Sequence, residues 1–148
     1  MYKKILVPLD GSEPSKRALI AAMELASKWG SELLILSVIP LVSALLYTGH
    51  GSMGKDLGVY ENELKQVYMK IVNDAREMVR TSHHPELTIS VSVIKGHVPS
   101  KILDVSDRED IDLIVMGSRG LSGIESWFLG SVSKNVVEHC KKPILIVK

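Results

Sequence analysis

Four uninterrupted apolar runs constrain this chain more than any other feature: Ile5-Leu6-Val7, Leu33-Leu34-Ile35-Leu36, Leu113-Ile114-Val115-Met116 and Ile144-Leu145-Ile146-Val147. A strand with one wet face alternates apolar and polar residues. A continuous run suits a strand covered on both faces, as in parallel sheets packed between helices. One further segment, Leu87-Thr88-Ile89-Ser90-Val91-Ser92-Val93, does alternate, and is expected at a sheet edge with one face wet. Helical spacing fills the intervals. Ser12 is placed to cap a helix that tolerates Pro14 in its first turn and turns Ala18, Ala21, Ala22 and Leu25 inward. Tyr60, Leu64, Val67, Tyr68, Ile71, Ala75, Met78 and Val79 predict a long helix over about residues 60–80, with this stripe read as core. Further helices are predicted after Pro99 and from Gly130. The alternation predicts a five-stranded, parallel, doubly wound α/β sheet with right-handed crossovers, as one domain over residues 1–148.

Composition removes several function classes. Eighteen Lys plus Arg against seventeen Asp plus Glu leave a net charge of +1, so no global field favours nucleic acid or an anionic membrane, and neither is expected as a partner. No segment reaches the roughly 20 apolar residues of a membrane span, and the apolar run after Lys4 is too short for a signal-peptide core. A single cysteine, Cys140, rules out an internal disulfide and a cysteine zinc site; beside Lys141 and Lys142 it reads as either an activated or an inert thiol. The histidines at 50, 83, 84, 97 and 139 lack metal-ligand spacing, and no side-chain metal site is expected. The expected compartment is the cytoplasm.

Directly after the third of the four apolar runs, the fourth strand in chain order, stands Gly117-Ser118-Arg119-Gly120, and after a further nine residues comes Gly130-Ser131-Val132-Ser133. This reads as strand, glycine turn and helix start. Glycine permits positive φ and close backbone approach, while a helix N-terminus offers unpaired N–H donors, so the loop is expected to hold a phosphate. A purely structural reading makes Gly117 and Gly120 a tight turn and Ser131 or Ser133 a helix cap. A cap needs one hydroxyl, however, and leaves the further glycines unexplained. Asp10, ending the first strand, reads as a ligand contact or as an Asx turn; Glu125 reads as a residue positioning water or as a solvated one. The segment from Pro40 to Gly58 fits neither period and is expected to be a long loop: a mobile lid, a partner surface or a tolerated insertion.

A nicotinamide dinucleotide site would put its glycine fingerprint after the first strand, where this chain has Asp10-Gly11-Ser12-Glu13, and an acid after the second, which ends Val38-Ile39-Pro40. No Gly-x4-Gly-Lys-Ser/Thr phosphate loop exists. A phospho-accepting receiver would carry an acid where Ile94-Lys95-Gly96 stands, and Asp112 lies at the start of its strand, away from the ligand end. With no obvious base, activating lysine or magnesium pair, the residues favour binding over fast phosphoryl transfer, and no catalytic residue is assigned.

At these residues the chain strongly resembles the universal stress protein family in its ATP-binding branch. The resemblance rests on Lys4-Ile5-Leu6-Val7-Pro8-Leu9-Asp10-Gly11-Ser12, on Asp112 through Gly120, on Gly130-Ser131-Val132-Ser133-Lys134-Asn135 and on Pro143-Ile144-Leu145-Ile146-Val147. It implies strand order 3-2-1-4-5 in a Rossmann-like three-layer fold, agreeing with the edge placement of the alternating strand. It implies Pro8, Asp10 and Val38 around adenine and ribose, Met116 and Gly117 beneath the nucleotide, and Gly120, Gly130, Ser131, Val132 and Ser133 cradling phosphates. Arg119 would strengthen triphosphate binding or project into solvent, and Ser133 replaces a threonine common in the family. The implied ligand is ATP, with Mg2+ or Mn2+ held by its phosphates.

The run Ile144, Leu145, Ile146 and Val147 falls at the other sheet edge, where an uncovered ladder is sticky, so a homodimer through this strand is expected on physical grounds and by resemblance. The implied function is a nucleotide-dependent switch in the stress response with an unidentified protein partner. The alternatives are a slow or partner-dependent ATPase or nucleotidyl-transfer enzyme, and an interaction module binding AMP, cyclic AMP or no nucleotide.

Overall fold

The computed structural model describes residues 1–41, 57–121 and 129–148. Its elements follow the order β1 (Lys4–Pro8), α1 (Glu13–Trp29), β2 (Glu32–Pro40), α2 (Leu57–Arg80), β3 (Ile89–Gly96), α3 (Val98–Arg108), β4 (Leu113–Gly117), α4 (Ser131–His139) and β5 (Ile144–Val147). The strands form one parallel sheet in the order β3-β2-β1-β4-β5. The expected edge position of β3 is therefore found.

Continuous apolar runs are needed because each central strand feeds two cores. Ile5, Val7, Leu33, Ile35, Leu113 and Val115 pack against Ala18, Leu19 and Ala22 of α1 and Val72, Ala75 and Val79 of α2. Leu6, Leu34, Leu36, Ile114 and Met116 point the other way, onto Ile102 and Val105 of α3 and Val136 of α4. Successive side chains on a strand face opposite sides, so a polar residue at either parity would be buried. Ser37 is such a residue, and its hydroxyl is satisfied by donating to the Leu9 carbonyl at 2.6 Å.

Two boundaries differ from expectation. α2 begins at Leu57 rather than near Tyr60, because the apolar stripe marks only the part of a helix that meets the core. Near its start Glu61 forms an ion pair with Lys95 of β3. β3 runs to Gly96, past Val93, because β2 continues to Pro40 and supplies backbone partners as far as the Pro40–Gly96 register. Its residues from Ile89 to Ile94 are all half-buried, so the alternation yields no fully wet face. Of the segment read as a loop from Pro40 to Gly58, residues 42–56 lie outside the described residues.

At the amino end of the sheet, Asp112 Oδ2 accepts the backbone N–H groups of Lys3 at 2.8 Å and Lys4 at 3.0 Å. These bonds hold its carboxyl below the usual carboxylate range. The group clamps β1 to the start of β4, far from the opposite end where a ligand would sit.

Candidate functional site

The first wall of the site is the exit of β1. Leu9 donates its N–H to the Leu36 carbonyl at 2.8 Å and accepts Ser37 Oγ, which fixes the chain just before Asp10. Asp10 Oδ1 then accepts the Ser12 N–H at 2.9 Å, an Asx turn that needs the positive φ of Gly11, +86°. Ser12 in turn caps α1, accepting the Ser15 N–H at 3.3 Å. The Asx-turn reading of Asp10 is therefore found, and the residue also lines the cleft.

The second wall is the glycine loop, and of the two expectations for its glycines the first, positive φ, is not met. None of Gly117, Gly120 or Gly130 has positive φ. Each instead faces a close neighbour. A Cβ on Gly117 would lie 2.8 Å from the Pro14 carbonyl carbon and 2.9 Å from the Ser15 nitrogen, so this glycine lets α1 pack onto the end of β4. Gly117 is itself the last residue of the strand rather than part of a turn. A Cβ on Gly120 would lie 2.6 Å from Asp10 Oδ2, so this glycine makes room for the carboxylate. One on Gly130 would approach the Arg119 Cα to 3.3 Å.

The loop is closed by hydrogen bonds across its gap. The Ser118 carbonyl accepts the Gly130 N–H at 2.7 Å and the Ser133 hydroxyl at 2.8 Å, and Ser133 also reaches the Gly130 carbonyl at 3.0 Å. Ser133 is 2% exposed. Its hydroxyl ties the two sides of the loop together. Beside it, α4 starts at Gly130 with no side-chain cap, and Ser131 stands exposed at the helix entrance. The first N–H groups of such a helix have no intrahelical acceptor, so they are available to an anion.

Between these walls lies a cavity of about 190 Å³. Pro8, Asp10, Val38, Met116, Gly117, Arg119, Gly120, Gly130, Ser131, Val132 and Ser133 all line it, so the fold brings together every residue expected at the nucleotide. Its lining is apolar at Pro8, Leu36, Val38, Ile102 and Met116, and polar at Asp10, Arg119 and the start of α4, where no side chain caps the helix. A flat apolar ring with a sugar and phosphates attached matches that set of surfaces.

Across its whole length, residues 1–148, the sequence matches the universal stress protein family. The chain belongs to that family. It is 35% identical to universal stress protein YxiE of Bacillus subtilis, with both chains covered completely. It is 30% identical to universal stress protein MJ0577 of Methanocaldococcus jannaschii, covering 100% of this chain and 96% of that one. The solved structure of MJ0577 superposes with a TM-score of 0.78 at 28% identity, over 100% of this chain and 96% of that one. A universal stress protein solved in complex with cAMP gives a TM-score of 0.73 at 25% identity, over 99% and 97% of the two chains.

In this universal stress protein fold the cleft has a wall that motif reasoning missed. Tyr68, read from its spacing as core, is 8% exposed and lines the cavity with Leu9, Ser15, Val98 and Leu121. Burial pushes its phenol above its ordinary value, and the Asp10 carboxylate and Tyr60 act in the same direction. A phenol in the middle of a largely apolar stripe was the available signal, since a buried hydroxyl needs a partner.

Elsewhere, among the described residues β5 pairs with β4 alone, and Leu145 is 39% exposed. Ile144 and Ile146 pack under α4, and Val147 packs on the α1 side. Among the described residues no group of three His, Cys, Asp or Glu side chains could hold a metal, and no helix is long and apolar enough to cross a membrane. Glu125 lies outside the described residues.

Proposed function

We propose that the cleft binds ATP and that the protein works as a nucleotide-dependent switch. The observation that carries this reading is the pairing of an apolar lining with an uncapped helix start in one cavity. Pro8, Leu36, Val38 and Met116 take the adenine, Asp10 accepts from the ribose, and the N–H groups at the start of α4, with the exposed Ser131 hydroxyl, donate to phosphates. Arg119 adds positive charge at the same end. The donor set suits a polyphosphate, whose charge Mg2+ or Mn2+ would neutralise from the phosphate side, supplying electrostatic screening. Among the described residues no base stands beside the helix start, which favours slow or absent turnover over rapid hydrolysis.

The solved relative in complex with cAMP favours a second reading, in which an adenosine monophosphate is the resident ligand. In either case a homodimer through Ile144, Leu145, Ile146 and Val147 would pair the open edge of β5.

Mass spectrometry of small molecules released on denaturing freshly purified protein, with calorimetric titration of the stripped chain, tests the assignment. Stoichiometric ATP supports the switch, and AMP or cAMP in its place supports the second reading. A chain that carries no nucleotide and binds none after stripping removes both.

A further inference from the structure

One polar group in the cleft has no task in the phosphate and base contacts described above: the Tyr68 phenol. Its ring closes the cavity on the α2 side beside Leu9 and Asp10. α2 passes directly over the Asx turn, for a Cβ on Gly11 would lie 3.3 Å from Ile71, three residues beyond Tyr68. Tyr68 therefore stands against the Asp10 end of the cleft rather than the phosphate end. Among the described residues its hydroxyl makes no hydrogen bond, and no buried side-chain nitrogen or oxygen lacks a partner. Tyr68 lines the cavity, so its hydroxyl is available to a ligand there. A phenylalanine would serve the core stripe equally well, so the oxygen is not explained by packing.

The chemistry on either side selects the ligand group. Asp10 only accepts hydrogen bonds, and its Oδ1 already takes the Ser12 N–H. Tyr68 is a donor at neutral pH, because burial and the Asp10 charge both disfavour its ionisation. A phosphate oxygen there would accept from Tyr68 but meet the Asp10 charge, while an amine would satisfy Asp10 but offer nothing to Tyr68. A hydroxyl does both: it donates to the carboxylate and accepts from the phenol.

We propose that Tyr68 is a specificity-determining residue, its phenol donating to a sugar hydroxyl of the bound nucleotide while that hydroxyl donates to Asp10. This rests on the nucleotide reading above and names the group that α2 recognises.

A cycle of two proteins and two ligands tests it: wild type and Tyr68→Phe, each titrated calorimetrically with ATP and with 2′,3′-dideoxy-ATP. Wild type is expected to bind ATP more tightly than the dideoxy analogue. Tyr68→Phe is expected to weaken ATP by about three- to tenfold and leave the analogue unchanged. Equal ATP affinity in the two proteins overturns the proposal. Equal losses for both ligands overturn it too, by showing that the ring acts through packing. Wild type that favours neither ligand also overturns it, without needing the variant, while leaving nucleotide binding intact. Wild type that binds no nucleotide overturns the site assignment and this inference together.

Discussion

Two helices begin at the carboxyl end of the same sheet, and they begin differently. α1 follows β1 through Asp10-Gly11-Ser12, where Asp10 Oδ1 takes the Ser12 N–H and Ser12 Oγ takes the Ser15 N–H. α4 follows the glycine loop with Gly130 as its cap residue, and among the described residues no side chain caps its first N–H groups. The first start is finished by its own residues, and the second is left open toward the cavity. A helix start satisfied internally contributes stability, whereas one left bare gives up part of that stability and keeps its donors for an anion.

Altering these two starts should separate the roles. Gly117→Ala should have the largest effect, because its Cβ would meet the backbone of α1 at 2.8 to 2.9 Å. The expected loss is about 2 kcal/mol or more of unfolding free energy, read by urea denaturation. An unchanged midpoint would mean that α1 can move off β4. Gly130→Asp should weaken ATP by about thirtyfold in calorimetry, since the new carboxylate would cap α4 and repel phosphate. Undiminished affinity would place the phosphates elsewhere.

Gly120→Val should come next. Its Cβ would fall 2.6 Å from Asp10 Oδ2, and the carboxylate is the movable partner. Affinity for ATP should fall about tenfold, with stability held within about 1 kcal/mol. Ser12→Ala should do the reverse, costing about 1 kcal/mol of stability while leaving ATP affinity alone. A loss of affinity there would show that the capped start also serves the ligand.

Asp112→Asn should have the smallest effect. The two N–H groups hold the Asp112 carboxyl below its ordinary value, so its contribution is complete above the usual carboxylate range and fades as pH falls through it. The variant should therefore flatten the acid limb of a plot of melting temperature against pH. An unchanged acid limb would show that the clamp adds no pH-dependent stability.

Much of the site was legible in the sequence, yet the reasons for its residues were not. Gly117, Gly120 and Gly130 were read through positive φ and close approach to a ligand; their φ angles are ordinary, and a side chain on each would meet a protein neighbour: α1, Asp10 and Arg119 respectively. Spacing along the chain cannot show a contact between Gly120 and Asp10, which lie far apart in sequence. Ser133 read as a ligand group or a helix cap because it follows the glycines, and its bonds to Ser118 and Gly130 add a clasp that spacing could not show. Tyr68 read as core because helical periodicity reports which face is buried without saying whether protein or cavity lies beyond it.

What the sequence determined by itself was the layering. Continuous apolar runs at strand period demand cover on both faces, and the helical stripes between them supply it, so a parallel doubly wound sheet follows from local pattern and burial alone. The tertiary structure alone decided which polar groups remain free at the end of that sheet. A hydroxyl, carboxylate or N–H group is committed or available according to the atoms around it, and folding brings those atoms from distant parts of the chain. Asp112 and Asp10 make the point together: the same side chain is filled by two backbone donors at one end of the sheet, and at the other keeps an oxygen toward Gly120 in the cleft.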